Sequence, residues 1–527
     1  MKKKVLIIGN HPIKENLLAQ YCQRGDEVVS LMLYQSKEKT NIAEYSEIVL
    51  LADSDSNPFD ADNKVMDILQ QIATDVPEPI NGKRTLCHLL LRSHSLLHFI
   101  CLDGFCKEIE DKLEVIPFTM EDQWGRTIAM ELDREPITKQ TEKTVHLVIF
   151  GMSEVAEQVA INAAHVCHYP NYLQNGHSLR TRITVIDECA FDKSRVWIER
   201  YKHLFDNCYY RFVDTKKRPA VVNTSKPKYK DREDFVDVEW EFVSSSPYDK
   251  LVRDKISEWS KSQLQLLTIV FANDSSDNGF NDALHLPDAV IPAKIPIYVY
   301  MRSDKAFRQI KHSDNLPQVV PFGMEDFGYD VNIPIVKMAK NVNYIYDCCY
   351  EENEEAWNGR LRFSVEIDEE KKEQFWAKKS SVKRISNIYN AMTIGVKMHS
   401  MGFNKDDWDK FYDLSEEDIE ILAEVEHNRW SVEELILGFR PCDDGELKEI
   451  AESIEAHNKK RIEMGNDAVK DEKTLKDIYK VERKAHYDLR AYNDLRPDGT
   501  GKPVQVYDRC LSACIPLIAK ESRGGRV

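Results

Sequence analysis

The sequence predicts an α/β fold in which two parallel-sheet units lie in tandem and an all-α region follows them. Within residues 1–332, short apolar runs that end in Gly, Asp or Arg alternate with segments of helical spacing, which is typical of parallel sheets covered by helices. The series of runs begins again near residue 143, and the pattern becomes purely helical from residue 333. A chain of 527 residues is long enough for three or four domains.

The first unit, residues 1–135, begins with the apolar run Val5–Ile8, which Gly9 ends. We interpret this run as a buried strand that feeds a tight turn. A helix is predicted over Asn16–Arg24. The remaining predicted strands of the unit are Val28–Leu33, Ile48–Leu51, Leu86–Leu91 and Val115–Phe118.

The second unit, residues 143–332, repeats this order, with predicted strands at Val145–Phe150, Ile183–Ile186, Leu267–Phe271, Ile297–Met301 and Val319–Phe322. Three pairs of short segments match in register: Asp53-Ser54 with Asp274-Ser275, Arg92-Ser93 with Arg302-Ser303, and Pro117–Asp122 with Pro321–Asp326. Because all three pairs occur in the same order, we interpret the units as duplicated Rossmann-like domains. The Lys-rich stretch Asp214–Asp234 lacks apolar periodicity and is predicted to be a surface loop.

Helical spacing dominates the rest of the chain. Residues 333–412 are predicted to form a helical linker region, and residues 413–527 a helical domain. The predicted helices are Val336–Cys349, Lys383–Ser400, Ile419–Leu437, Glu446–Lys484 and Val506–Lys520. Ser415–Asp418 is a capping-box pattern that marks the start of the third of these helices.

Composition excludes several classes of function. The formal net charge is −17, and we expect no direct DNA binding, because nonspecific binding to DNA needs clustered cations. No stretch approaches the ~18 apolar residues of a membrane span, so we expect no membrane insertion. The twelve cysteines are scattered without paired CxxC motifs, which indicates reduced thiols and a cytoplasmic protein.

The best candidate for a nucleotide site is the turn Gly151-Met-Ser-Glu-Val-Ala156, between a predicted strand and a predicted helix. Gly151 can form the tight turn, and Ser153, followed by Glu154, is small enough for a phosphate to approach. Asp187 ends the next strand, where an acid can bind ribose hydroxyls. NAD or another adenine nucleotide would suit this site; a turn that only packs is the equally weighted alternative.

Other strand ends are weaker candidates. Gly9 and His11 occupy the corresponding turn of the first unit, but the other two glycines of the fingerprint are missing. That helix start could attract an anion, or the unit could be degenerate and only pack. Asp274 and Arg302 end strands on the edge where such sheets bind ligands. Arg302 could bind phosphate bidentately or pair with a neighbouring Asp.

The C-terminal region resembles the ryanodine-receptor repeat (RyR domain). The segments that carry the resemblance are Leu422–Trp430, Leu435–Arg440, Lys484–Leu489, Tyr492–Leu495 and Tyr507–Arg509, in the family's order. Arg440-Pro441-Cys442 departs from the usual aromatic-Gly pair, and residues 443–482 form a long insertion. The resemblance implies a module that senses a nucleotide-like molecule. The residues that would bind it are His427, Arg429, Trp430, Tyr492 and Arg509; the alternative, which is the default for Trp430, is a core residue that anchors the module.

The two upstream units similarly resemble the nucleotide-binding domain of potassium-transport regulators (TrkA-N type). Proteins that join such domains to a RyR domain often belong to antiviral defence or stress signalling. The resemblance therefore implies a ligand-sensing regulatory or effector protein, and we expect it to be a homo-oligomer.

Two further functions stay open: an enzyme that uses or consumes NAD at the second unit, and a non-catalytic scaffold. No catalytic motif is recognisable in the sequence, which favours the sensor. Glu424 and His427 alone would be an incomplete metal site, so we expect no bound metal.

Overall fold

The computed structural model describes most of the chain, and its gaps fall mainly in charged segments. The described residues are 2–32, 40–79, 84–173, 179–217, 221–225, 235–273, 276–302, 318–326, 328–351, 367–404, 407, 410, 414–465, 473–495 and 505–519. Within these residues the protein is α/β, with a five-stranded sheet, an eight-stranded sheet and a group of helices after residue 333.

The first sheet is entirely parallel and has the strand order β2-β1-β3-β4-β5. Its strands are β1 (Lys4–Gly9), β2 (Glu27–Leu31), β3 (Glu47–Leu51), β4 (Thr85–Leu90) and β5 (Leu113–Phe118). The helices of this unit are α1 (Lys14–Arg24), α2 (Pro58–Asp75), α3 (His94–Asp103), α4 (Lys107–Lys112) and α5 (Met120–Glu131). A short 3-10 helix covers Ile42–Glu44.

The second sheet is mixed, with the order β13-β12-β11-β6-β7-β10-β8-β9. Its strands are β6 (Thr144–Phe150), β7 (Thr181–Asp187), β8 (Tyr209–Asp214), β9 (Val221–Ser225), β10 (Val238–Ser244), β11 (Gln265–Phe271), β12 (Ile297–Tyr300) and β13 (Val319–Phe322). The helices are α6 (Glu154–Val166), α7 (Ala190–Arg200), α8 (Lys202–Asn207), α9 (Lys250–Lys261) and α10 (Ser276–Leu284).

Strand β9 corrects two predictions. It runs antiparallel to β8 at the edge of the sheet, so this unit is not purely parallel. It also lies inside the stretch Asp214–Asp234, which was expected to be a loop throughout. Four of its five residues are exposed, and a strand with no buried face leaves no alternating apolar pattern in the sequence.

The two sheets share a strand order. Strands β13-β12-β11-β6-β7 repeat the order β5-β4-β3-β1-β2 of the first sheet, and β10, β8 and β9 extend the second sheet beyond β7. Arg92 follows β4 and Arg302 follows β12, which occupy the same place in this order. The extra length of the second unit therefore builds three additional strands on one side.

The helical region begins with α11 (Pro334–Glu351), α12 (Glu369–Ala377), α13 (Ser381–Met392) and α14 (Ile394–Ser400). It continues with α15 (Glu416–Ile436), α16 (Asp444–Glu463), α17 (Leu475–Arg483), α18 (Gln505–Ala513) and α19 (Ile515–Ile518). The two-residue strands β14 (Arg440–Pro441) and β15 (Ala485–His486) pair with each other, so this region is not purely helical. Helix α11 packs against both α18 and α19, which joins the linker helices to the C-terminal ones.

Helix α6 lies at the centre of the molecule. Twelve of its thirteen side chains are buried, and it packs against α5 of the first unit and against α13 and α15 of the helical region. Gly125 makes the crossing with α5 possible, because a Cβ there would lie 2.7 Å from the Gln158 carbonyl oxygen. The alanine-rich sequence of α6 suits such close packing on several sides.

Candidate ligand-binding cleft

A cleft of about 450 Å³ opens at the carboxyl edge of the second sheet. In the sheet, β6 lies between β7, which follows it in the chain, and β11. Open α/β sheets bind ligands at such a point, where the strand order reverses. The residues that line the cleft come from the ends of the three strands β6, β7 and β11, from the loop after β10 and from helix α10. They are Phe150, Gly151, Ile186, Asp187, Glu188, Ser245, Ser246, Pro247, Tyr248, Asn273, Asn281 and Asp282.

Gly151 forms the turn at the base of the cleft. Its φ angle is +99°, and a Cβ at this position would lie 2.4 Å from Asn273 Oδ1 and 2.8 Å from the Ala272 carbonyl oxygen. Its N–H donates to the Ile186 carbonyl oxygen at 2.9 Å. Only glycine fits this conformation and this approach to the neighbouring strand.

Ser153 and Glu154 start helix α6 beside the cleft. The Ser153 hydroxyl accepts from the Ala156 N–H at 3.2 Å and donates to the Ala272 carbonyl oxygen at 2.6 Å, so it caps the helix and ties it to the end of β11. Glu154 is the first helical residue and is exposed. Neither residue belongs to the described lining of the cleft.

Asp187 reaches the cleft at the end of β7. Its Oδ1 accepts from the Cys189 N–H at 2.8 Å, and its Oδ2 pairs with Lys193 Nζ at 3.0 Å. A ligand hydroxyl at this carboxylate would compete with Lys193, while the backbone bond could stay in place. The carboxylate is thus held at the end of β7, where it lines the cleft.

The far wall of the cleft was not predicted. Tyr248, in the loop after β10, donates its hydroxyl to Asp282 Oδ1 at 2.7 Å and accepts from Asn281 Nδ2 at 3.2 Å. These bonds fix the loop to helix α10. The alternating apolar residues Val238, Trp240 and Phe242 could have predicted β10, and hence a loop at this edge.

Two other candidates of the second unit contribute differently. Asp274 lies outside the described residues. Arg302 follows β12 and is exposed, and its guanidinium donates to the Tyr300 phenol oxygen. It does not belong to the described lining of the cleft.

In the first unit the corresponding turn is occupied by protein contacts. Gly9 has a φ angle of +118°, and a Cβ there would lie 2.2 Å from the Leu51 carbonyl oxygen. His11 is buried, and its Nδ1 accepts from the Ile13 N–H at 3.3 Å. Burial, with the nearby Arg92 guanidinium, lowers the pKa of His11 to about 4. Arg92 donates to the carbonyl oxygen of Ser54 at 2.8 Å, so it fixes a loop.

Three of the C-terminal candidates come together. The ring of His427 lies 5.5 Å from that of Trp430 and 5.9 Å from that of Tyr492, between centroids. His427 Nε2 donates to the Arg490 carbonyl oxygen at 2.8 Å. Burial opposes protonation of His427, but Asp508, together with the Arg490 carbonyl oxygen and Asp488, outweighs it and raises the pKa of the imidazole. The Tyr492 hydroxyl donates to Glu420 Oε1 at 3.0 Å.

Arg429 is placed differently from the expected ligand contact. Its side chain is 2% exposed, and its guanidinium bonds Glu426 at 2.9–3.1 Å and also bonds Glu433. Lys397 Nζ pairs with Glu426 at 2.8 Å. These contacts place Arg429 in a buried charge cluster with Glu426, Glu433 and Lys397.

Arg509 lies at the surface, with 41% of its side chain exposed. Its guanidinium pairs with Glu416 at 2.7 Å and with Glu420 at 3.1 Å, both in the first turns of α15. The arginine therefore faces two exposed carboxylates, whereas the His427 ring is buried.

Comparison of the chain with protein-family models, with curated proteins and with solved structures gives no match. Among the described residues, no helix combines the length and the apolar character that crossing a bilayer requires. The described part of the chain also contains no group of three or more His, Cys, Asp or Glu placed to hold a metal ion.

Proposed function

We propose that the protein is a ligand-sensing regulator that binds a nucleotide-derived signal in the cleft of the second sheet. In this proposal the two sheet units are tandem Rossmann-like domains of TrkA-N type, and the C-terminal region is a RyR-like module. Antiviral defence or stress signalling is the context that the sequence resemblances suggest. The observation that supports the proposal most directly is the position of helix α6, which begins at the cleft and is buried against both other parts of the chain.

The chemistry of the cleft suits a ribosyl compound. The Asp187 carboxylate can accept from ribose hydroxyls, and the amides of Asn273 and Asn281 can bond the edge of a base. The Tyr248 ring is 51% exposed at the wall of the cleft and can stack on a base. A volume of about 450 Å³ lies within the range of small-molecule sites.

Helix α6 offers a way for binding to reach the helical region. Its first residue adjoins the cleft, and in its last turn the His165 ring stacks on Tyr389 of α13, with centroids 3.8 Å apart. Because packed interiors do not deform continuously, a ligand that shifts the start of α6 must repack one of its contacts. We expect this repacking to change domain arrangement or assembly of a homo-oligomer.

A second candidate function, an enzyme that consumes NAD, is favoured by Glu121. This half-buried carboxyl is at the start of α5 and lies near Glu154 of α6. Its pKa is raised to about 7, first by burial and further by the charge of Glu154. A carboxyl that titrates near neutral pH can act as a general acid or base.

The test is a thermal-shift screen of the full-length protein with NAD, ADP-ribose, ATP and nucleosides. A ligand at a hundred times its Kd stabilises the folded state by ~2.7 kcal/mol. Asp187→Asn keeps the backbone bond from Cys189 but loses the charge, so we expect it to weaken the ligand about tenfold, ~1.4 kcal/mol. Asp254→Asn makes the same change of charge on the exposed side of α9 and should leave affinity unchanged.

Three outcomes separate the candidate functions. Binding without turnover, together with a change of mass by light scattering, supports the sensor. If chromatography shows that the protein converts NAD, and that Glu121→Gln has lost this activity, the enzyme is supported. If none of the compounds binds, or if Asp187→Asn binds as tightly as the parent protein, the cleft is a relic and the scaffold is the better account.

A further inference from the structure

We propose that the cleft of the second sheet selects an uncharged nucleoside over the corresponding nucleoside polyphosphate. This inference rests on the proposed function, because it concerns the ligand class of the same cleft. It differs from the usual use of a Rossmann-like edge, where the helix N-terminus binds phosphate.

The side chains that line the cleft carry negative charge only. Asp187, Glu188 and Asp282 are acidic, and none of the described lining residues is Lys or Arg. Two lysines lie close by, but both are engaged: Lys193 pairs with Asp187 at 3.0 Å, and Lys216 donates to the Glu188 carbonyl oxygen at 3.0 Å. A polyphosphate in this cleft would therefore face carboxylates without a free cation in the described lining.

The start of helix α6 is equally unsuited to phosphate. In a dinucleotide-binding turn the pyrophosphate lies against this helix end, but here the first helical residue is Glu154. The neighbouring helix α5 adds the Glu121 carboxyl, on which the charges of both Glu154 and Glu325 act. Like charges repel, so a phosphate at this helix end is disfavoured, and most strongly at low salt.

Uncharged groups of a nucleoside would find partners in the same cleft. Ser245 and Ser246 contribute hydroxyls, and Asn273 contributes an amide. The Tyr248 ring is held in place because its hydroxyl is bonded by both Asp282 and Asn281. If the base stacks on this ring, the ribose can lie near Asp187. No part of such a ligand requires a cation.

Isothermal titration of the full-length protein with adenosine, guanosine, cytidine and uridine, and with their triphosphates, tests the inference. For whichever base binds, we expect the nucleoside to bind at least tenfold more tightly than its triphosphate at low salt. Raising the salt from about 50 to 500 mM should narrow this difference, because salt screens the repulsion.

Two variants sharpen the result. Glu188→Gln combined with Asp282→Asn removes two of the three lining charges and should improve triphosphate binding at least threefold relative to nucleoside binding. Asp254→Asn on α9 should change neither. A triphosphate that binds as tightly as its nucleoside, or more tightly, overturns the inference and leaves the proposed function standing. If no nucleoside and no triphosphate binds, the inference and the proposed nucleoside-type ligand fall together.

Discussion

Arg429→Met should destabilise the protein strongly, because it removes the central cation of a buried charge cluster. The Arg429 guanidinium bonds Glu426 and Glu433, and the side chains of all three residues are at most 3% exposed. Lys397 pairs with Glu426 at 2.8 Å and would continue to do so. Among its described contacts, Glu433 would keep only the Ser386 hydroxyl, at 3.0 Å.

The expected loss follows from this asymmetry. Removing one partner of a buried ion pair costs ~3–5 kcal/mol, since the other charge stays buried without compensation. Because Lys397 still neutralises Glu426, we expect the lower end of that range, about 3 kcal/mol. Arg509→Met is the matched control: its ion pairs with Glu416 and Glu420 are exposed, and such pairs contribute only ~0–1 kcal/mol.

The free energies of unfolding are measured by urea denaturation of both variants and of the parent protein. A third variant, Arg429→Met with Glu433→Met, removes the carboxylate that the single change leaves unpaired, so it should recover part of the loss. If Arg429→Met is no less stable than Arg509→Met, or if the double variant is less stable than Arg429→Met, the interpretation of this cluster as a compensated charge network is wrong.

Two further predictions concern the contact of α5 with α6 and the carboxyl beside it. Gly125→Ala should lower the free energy of unfolding by ~1–3 kcal/mol, because its Cβ would lie 2.7 Å from the Gln158 carbonyl oxygen. Thr127→Ala, on the exposed face of α5, is the control. Equal stability of the two variants would contradict the close crossing of α5 and α6. Since the pKa of Glu121 is about 7 in the folded protein and 4.5 as a free carboxyl, the folded state binds its proton more tightly. The stability due to this carboxyl is therefore present below pH 4.5 and is lost as the pH rises through about 7. Relative to Glu121→Gln, the parent protein should lose free energy of unfolding between pH 5 and pH 8, and a difference that does not vary with pH would show that Glu121 titrates normally.

Most of the strands that the sequence predicted are largely buried, although the predicted β2 is partly exposed. Val5–Ile8 lies within β1, and Val145–Phe150 within β6, because doubly covered parallel strands consist of unbroken apolar runs. Strand β10 was not among the predicted strands, although its apolar residues Val238, Trp240 and Phe242 alternate with Glu239 and Glu241. Both glutamates pair with arginines on neighbouring strands, which is a tertiary contact that no local pattern shows.

In the candidate sites, the sequence could predict only the features that depend on local backbone geometry. The turn at Gly151 and the capping box at Ser415 depend on local geometry, and the capping box is confirmed. The place of Arg429 depends on burial, and charged residues are usually exposed. Its spacing from Glu426 and Glu433, three and four residues away on one helix, indicates paired charges. The partner Lys397, from a separate helix, is what marks the cluster as interior.

Helix α6 connects these observations, since each of its parts meets a different element. Its start is bonded to the end of β11 through Ser153. Its middle packs so closely against Gly125 of α5 that a Cβ there would clash. In its last turn, the His165 ring stacks on Tyr389. Burial, with the positive charge of Arg429 as the next contribution, keeps the pKa of His165 well below its usual value, so this stack holds a neutral ring beside the charge cluster. A displacement at the cleft cannot be absorbed within α6 itself, because a helix is stiff along its axis and this one is buried almost throughout. Under the proposed function, a ligand-dependent rearrangement would therefore begin at the contact with α5 or at the contact with the helical region.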